Sequence, residues 1–323
     1  MAADLNPRDA ASAFLSHAGW GAGQILPLAV DASFRRYYRV VEAGRTAVLM
    51  DAPPPEDTRK FAKMAQWLAE RGFAAPAILA DDADKGFMLL EDFGDMRLRE
   101  TVDAAPESEA RLYAAAVDQL LRLQRHEAAP VPPYDRAFIL READLLIEWY
   151  CDALGLAVDA EGYRAAWNAA FDALPEMPVV TVLRDYHAEN LMLLDDGRLG
   201  LLDFQDALAG HPAYDLVSLL QDARRDVPPV IEATMLARYV QATGVGEGFD
   251  AAYHLFGAQR NAKILGIFTR LWRRDGKPRY GALCPRVWRY IERDLAHPSL
   301  SGLARWFDDN IPPHRRGDPQ ELA

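Results

Sequence analysis

Residues 190–204, "NLMLLDDGRLGLLDF", constrain the fold of this chain more than any other stretch. An apolar run, 191–194, meets Asp-Asp-Gly-Arg, and a second apolar run, 199–202, follows it. That pattern is a β-hairpin, set in a region whose remaining periodicity is helical. With Asp196 and Gly197 as the two central residues of a type I′ turn, which Asp-Gly favours, Asn190 faces Asp203 across the strands. Opposed residues of an antiparallel pair have Cβ atoms about 5 Å apart. The open end of the hairpin then holds an amide oxygen beside a carboxylate, at a separation one hard cation bridges.

Directly before the hairpin stands "LRDYHAEN", 183–190, which follows the strand-like "PVVTVL". Magnesium takes oxygen ligands, usually only one or two carboxylates from protein, and completes its shell with water and phosphate. Asn190 and Asp203 match that demand. Asp185, five residues before Asn190 on the loop that enters the hairpin, is placed to orient a hydroxyl attacking a phosphoryl group and to accept its proton.

The N-terminal part is β-rich. Residues 25–30, 37–41 and 47–50 form three short strands, ended by Pro53, Pro54 and Pro55. "EDTRKFAKMAQWLAERG" puts Phe61, Met64, Ala65 and Leu68 on one face of a helix with Gly72 at its end. Two further strands lie in "PAILADDADKGFMLLEDFG". Helical spacing then runs over 106–125, 137–170, 230–273 and 285–307.

"LRDYHAEN" followed by "LLDFQD" resembles the catalytic and metal loops of the aminoglycoside phosphotransferase and choline kinase branch of the protein-kinase-like fold. The spacing Asp-x-x-x-x-Asn and the later Asp-Phe fit the wider kinase pattern too. The resemblance implies an α+β, bilobal fold: residues 1–92 as a small N-lobe with an antiparallel sheet and one helix that binds nucleotide, and 93–323 as a larger, mostly helical C-lobe carrying the catalytic loop, the metal-binding hairpin and the acceptor site. It implies Asp185 as catalytic base, Asn190 and Asp203 as ligands of Mg2+, and His187 and Asp215 (in "GHPAYDL") as supports of the loop. ATP is the implied phosphoryl donor, contacted by Ser33, Arg35 and Arg36 of "DASFRRYYR" and by Glu91 of the connector "LLEDFG".

Three departures stand out. The loop begins Leu183-Arg184-Asp185 where family members often have His-Gly-Asp. "DASFRRYYR" has no glycine. Met50 occupies the third-strand position of a phosphate-binding lysine, which leaves Arg35, Arg36, Lys60 or Lys63 to supply the cation.

The segments "LMDAPP" and "LGIFTRLWRRDGKPRY" resemble the branch that phosphorylates the anomeric hydroxyl of N-acetylmuramic acid and N-acetylglucosamine in cell-wall recycling. Trp149, Tyr150, Trp272 and Arg270 are the candidates for a sugar and its carboxylate. Two readings stand beside it: an enzyme phosphorylating aminoglycosides or other small alcohols, and a non-catalytic nucleotide-binding module, which Met50 motivates.

Charge narrows the partners. Lys and Arg number 36 against 48 Asp and Glu, for a net charge of -12, which argues against nucleic acid and anionic membranes and leaves small molecules. Two unpaired-looking cysteines, Cys151 and Cys284, fit a reduced, cytoplasmic setting. The N-terminus carries Asp4 and Asp9 where an export signal needs an apolar block, and no apolar run nears the roughly 20 residues that span a bilayer. A soluble protein is expected.

Overall fold

The computed structural model describes residues 7–28, 35–246 and 248–323. Contacts divide the chain into two compact units, Met1–Thr101 with Glu189–Asp206, and Val102–Ala188 with Ala207–Ala323. The fold is α+β.

In the first unit a helix, α1 (Ala10–His17), precedes β1 (Gln24–Pro27), β2 (Arg36–Glu42) and β3 (Arg45–Asp51). Helix α2 (Thr58–Ala69), β4 (Ile78–Asp82), β5 (Phe87–Glu91) and α3 (Leu98–Ala104) follow. The five strands form one antiparallel sheet in the order β1-β2-β3-β5-β4. Alternation on β2 buries Tyr38 and Val40, which join Ala47, Leu49, Phe87 and Leu89 under Phe14 and Leu15 of α1. Sequence periodicity had pointed to one helix here; α1 is a second, short and apolar on the side that meets the sheet.

Helix α2 starts where Asp57 accepts the Arg59 amide at 3.0 Å, satisfying one of the open N-H groups of its first turn. It buries Phe61, Met64, Ala65 and Leu68, the face expected from their spacing. The chain leaves the helix through Gly72, whose φ of +76° suits a residue without Cβ.

The late hairpin is built into this unit by backbone bonds. Its strands, β7 (Leu191–Leu193) and β8 (Leu199–Leu201), pair antiparallel. Leu201 donates to the Ala74 carbonyl at 2.8 Å and Leu193 to that of Met96 at 2.7 Å. Phe204 packs against Phe61, with ring centroids 4.8 Å apart and the rings tilted by 33°.

The second unit is helical. Its elements are α4 (Glu109–Gln124), α5 (Arg136–Leu145), α6 (Ala160–Asp172), α7 (Ala213–Leu220), α8 (Pro229–Thr243), α9 (Phe249–Arg273), α10 (Cys284–Leu295), α11 (Ser301–Asn310) and α12 (Pro319–Leu322). Two short strands, β6 (Val180–Val182) and β9 (Leu208–Gly210), pair antiparallel and flank residues 183–207 in sequence. The continuous helix expected over 137–170 is broken: α5 widens into a π-helical turn over Leu146–Cys151, and Gly155 at φ +63° ends the run before α6. Likewise Gly244, at φ +64°, divides the stretch 230–273 into α8 and α9.

Helix α9 is buried over most of its length. A Cβ on Gly266 would lie 2.3 Å from the Leu145 carbonyl oxygen, and one on Gly257 would lie 2.3 Å from Asp294. These glycines let α9 approach its neighbours within a distance no other residue permits.

Candidate active site

The expected site residues fall in both units, and each set has its own geometry. In the second unit β6 delivers the chain to Leu183, and the first turn of α7 then fixes the loop. The Asp215 carboxylate, wholly buried, accepts the amides of Leu183 at 2.6 Å and Arg184 at 2.8 Å. The Ser218 hydroxyl donates to the Arg184 carbonyl at 3.1 Å. Arg184 itself has φ +72°, a left-handed conformation costly for a residue with a Cβ and held here by these bonds. Asp185 follows this bend with its side chain 45% exposed.

Around Asp185 the protein has gathered cations. Arg260 of α9 brings Nη2 to 3.8 Å from Oδ1. Lys263, one turn on, is buried: its Nζ donates to the Tyr214 hydroxyl at 2.7 Å and lies 3.6 Å from Glu142 Oε2. Arg184 and Tyr134 both donate to the same Glu142 carboxylate. Burial raises the Asp185 carboxyl, but Lys263, His187, Arg260 and Arg184 together outweigh it and bring it down to about 2. For Asp215, burial wins over its two amide bonds and pushes the carboxyl up to about 7. His187 is buried, which lowers its imidazole, and its backbone amide bonds the Asp185 carbonyl at 3.1 Å.

In the first unit the hairpin departs from the expected turn. Leu191 pairs with Leu201 and Leu193 with Leu199, and Leu194 donates to the Arg198 carbonyl at 3.0 Å, so the loop has three residues, closed by Gly197 at φ +81°. A three-residue loop with a left-handed final glycine is the next commonest hairpin connection. The register moves by one: Asn190 accepts the amide of Leu202, at 2.9 Å, and is not directly opposite Asp203. A one-residue slip sends an extended side chain to the other face. Asp203 lies beyond the paired residues, and its backbone leaves the extended region, with φ +57°.

Asp203 is 43% exposed. Arg35, mostly buried, extends Nη2 to 3.6 Å from Asp203 Oδ1 and 3.8 Å from Asp206, with Nε 3.6 Å from Glu56. Gln205 donates to Asp203 at 2.7 Å. A guanidinium lying among three carboxylates shows that this corner attracts a cation. Among the described residues no group of three or more His, Cys, Asp and Glu is arranged to hold a metal. An Asn with one or two carboxylates is all-oxygen and lies below that number, as a magnesium site built with water and phosphate does.

The remaining expectations separate. Arg36 opens β2 opposite Asp51. Glu91 ends β5, exposed, and accepts the Ala77 amide at 3.1 Å. Ser33 lies outside the described residues. Met50 is buried in the sheet, and Lys60 and Lys63 are exposed on α2. Trp149, Trp272 and Arg270 are half-buried. Tyr150 is a correction: its ring is wholly buried edge-on to Trp288, and its hydroxyl lies 2.9 Å from the Arg315 carbonyl, leaving no face for a sugar. Glu142, Arg260 and Lys263 were not anticipated. For Arg260 and Lys263 the signal was "AQRNAKILG", four polar residues within five positions in the buried middle of a helix; Glu142 had no comparable signal.

A strand-rich unit and a helical unit carrying an Asp loop define a protein-kinase-like phosphotransferase. The choline/ethanolamine kinase family protein of Mesorhizobium loti shares this fold, with a TM-score of 0.63 at 17% identity over 92% of this chain and 98% of that one. The chain belongs to the phosphotransferase enzyme family, whose pattern matches residues 24–255. It is 41% identical to a Pseudomonas aeruginosa protein named N-acetylmuramate/N-acetylglucosamine kinase, over 88% of this chain and 89% of the relative. A Caulobacter vibrioides protein of the same name is 36% identical over 96% and 98%. No helix among the described residues is long and apolar enough to cross a membrane.

Proposed function

We propose that this protein is an ATP-dependent kinase that phosphorylates the C1 hydroxyl of N-acetylmuramic acid and N-acetylglucosamine in the cytoplasm, during peptidoglycan recycling. The observation that carries the reading is the near full-length similarity to relatives bearing that name. The loop geometry supports it, since Asp185 is exposed, ionised and fixed by its neighbours.

In this reading Asp185 accepts a hydrogen bond from the anomeric hydroxyl and orients its oxygen toward the γ-phosphorus of ATP. As the O1–P bond forms and the bond from phosphorus to the ADP oxygen breaks, the hydroxyl proton passes to the Asp185 carboxylate and then to solvent. An anomeric hydroxyl is more acidic than an ordinary alcohol, so a weakly basic carboxylate suffices. Asp215 and His187 hold the loop. Asn190 and Asp203 would hold Mg2+, which supplies charge neutralisation to the phosphates when bound. Arg35, with Ser33, Arg36 and Glu91 nearby in the chain's first part, would meet the nucleotide, and Arg35 would take the charge role left open by Met50. Trp149, Trp272 and Arg270 remain candidates for the sugar.

The test is a substrate panel with MgATP read by mass spectrometry. N-acetylmuramic acid, N-acetylglucosamine and its 6-deoxy derivative should gain phosphate, while the methyl glycoside, which has no free C1 hydroxyl, should be inert, as should aminoglycosides. A phosphorylated methyl glycoside with an inert 6-deoxy sugar would overturn the C1 assignment.

A further inference from the structure

Arg260 occupies the middle of α9 and is 2% exposed. Among the described residues Nη2 comes to 3.8 Å from the Asp185 carboxylate, the charge also acts on Asp215, and Nε and Nη1 are buried with no hydrogen-bond partner. A buried guanidinium with two unsatisfied nitrogens is a burden to the folded state, and an apolar side chain of similar volume would pack there at lower cost. Its position is also held from outside: Gly257 and Gly266 fix the depth at which α9 lies against Asp294 and Leu145. The groups that face Asp185 are Arg184 and His187 of its own loop, Arg260 and Lys263 of α9, and Asp215 of α7. Of the two cations on α9, Lys263 is engaged by Tyr214 and Glu142. Arg260 is the one that lies directly beside Asp185, at 3.8 Å.

We infer that Arg260 is a positioning residue that fixes the Asp185 carboxylate in the orientation from which it meets the acceptor hydroxyl. The inference rests on the proposed role of Asp185 and adds a residue on α9 to it. The guanidinium lies 3.8 Å from Oδ1, and its charge biases the orientation of the carboxylate. The same charge keeps Asp185 ionised together with Lys263, His187 and Arg184.

The experiment is a double-mutant cycle of Arg260→Met and Arg260→Lys, each made alone and with Asp185→Asn, measuring kcat, KM for ATP and Tm on the full chain. Arg260→Met should lower kcat at least about tenfold, because a misdirected base loses its near-attack geometry. KM for ATP should stay within about twofold, Tm should hold or rise, and Arg260→Lys should recover much of the rate. In the Asp185→Asn background neither substitution should cost anything further, since the residue acts through Asp185. Equal losses in both backgrounds, or an unchanged kcat in Arg260→Met, would overturn the inference. Should Arg260→Met fail to fold, Arg260→Lys still decides: its rate loss must vanish when Asp185 is Asn. A wild-type chain that forms no phosphorylated product would instead overturn the proposed function itself, whatever Arg260 does.

Discussion

The loop at Asp185 and the hairpin mouth at Asp203 present similar carboxylates, 45% and 43% exposed, under opposite regimes of charge. Asp185 is surrounded by cations rooted in helices and in its own loop, and Asp215 and Ser218 lock the backbone beneath it. Asp203 leans on one guanidinium at 3.6 Å that it shares with Asp206 and Glu56. A carboxylate whose counter-charge is permanent suits a proton acceptor that must be ionised and aimed before substrate arrives. A carboxylate that shares its guanidinium with two other carboxylates suits a ligand that exchanges its cation.

The largest expected effect separates the two directly. Asp185→Asn should lower kcat by roughly 10²–10⁴-fold, the usual contribution of a positioned base, while MgATP affinity changes little. A near wild-type rate would remove Asp185 from that role. Asp203→Ala should weaken magnesium-dependent nucleotide binding by at least about tenfold to a hundredfold, as judged from what even outer-shell losses cost metal sites. Titration of MgATP against both variants checks this: undiminished affinity in Asp203→Ala would mean the hairpin carboxylate holds no metal.

A smaller effect concerns Asp294, a buried carboxylate with less compensation than Asp185. Burial raises it to about 6 despite bonds from His254 at 2.9 Å and Gln221 at 2.9 Å, and the carboxylate in turn raises His254. A carboxyl raised on folding keeps its proton in the native state where the unfolded chain has lost it, so stability falls as pH rises from the ordinary value toward 6. A raised histidine stabilises below its ordinary value and loses that stabilisation as pH passes its folded value, which has the same sign. Asp215, pushed up to about 7, adds to the trend. His187 and His211, lowered by burial, work in the opposite direction, so the Asp294 contribution is read from a difference: relative to wild type, Asp294→Asn should lose the part of the fall in Tm that lies between the ordinary carboxyl value and about 6. An unchanged Tm-against-pH slope in Asp294→Asn would contradict the raised carboxyl.

The sheet, α2 and the hairpin were legible because each obeys a local rule: alternation, helical spacing, two apolar runs about a turn. The turn was legible in kind and not in length. Asp196-Gly197 satisfies both a two-residue and a three-residue loop, and only the pairing of Leu191 with Leu201 decides. That single residue changed how Asn190 and Asp203 are related, and the left-handed backbone at Asp203 has no signature in its neighbours. Asp185 stands out in the sequence by its spacing to Asn190, whereas Glu142 and Arg260 lie 43 residues before and 75 after it in the chain. Their meaning comes from tertiary packing, which no local pattern encodes. Tyr150 failed for the converse reason, since an aromatic within helical spacing carries no mark of which side the π-helical turn will bury.

Gly257 and Gly266 lie nine residues, or two and a half turns, apart, and so face opposite sides of α9. Each tolerates a hydrogen atom and nothing larger. A helix shimmed on both sides in this way behaves as a fixed mount. In a library selected for new acceptors, α9 around these positions should come back unchanged, and the accepted diversity should collect at half-buried rims such as Trp149 and Trp272.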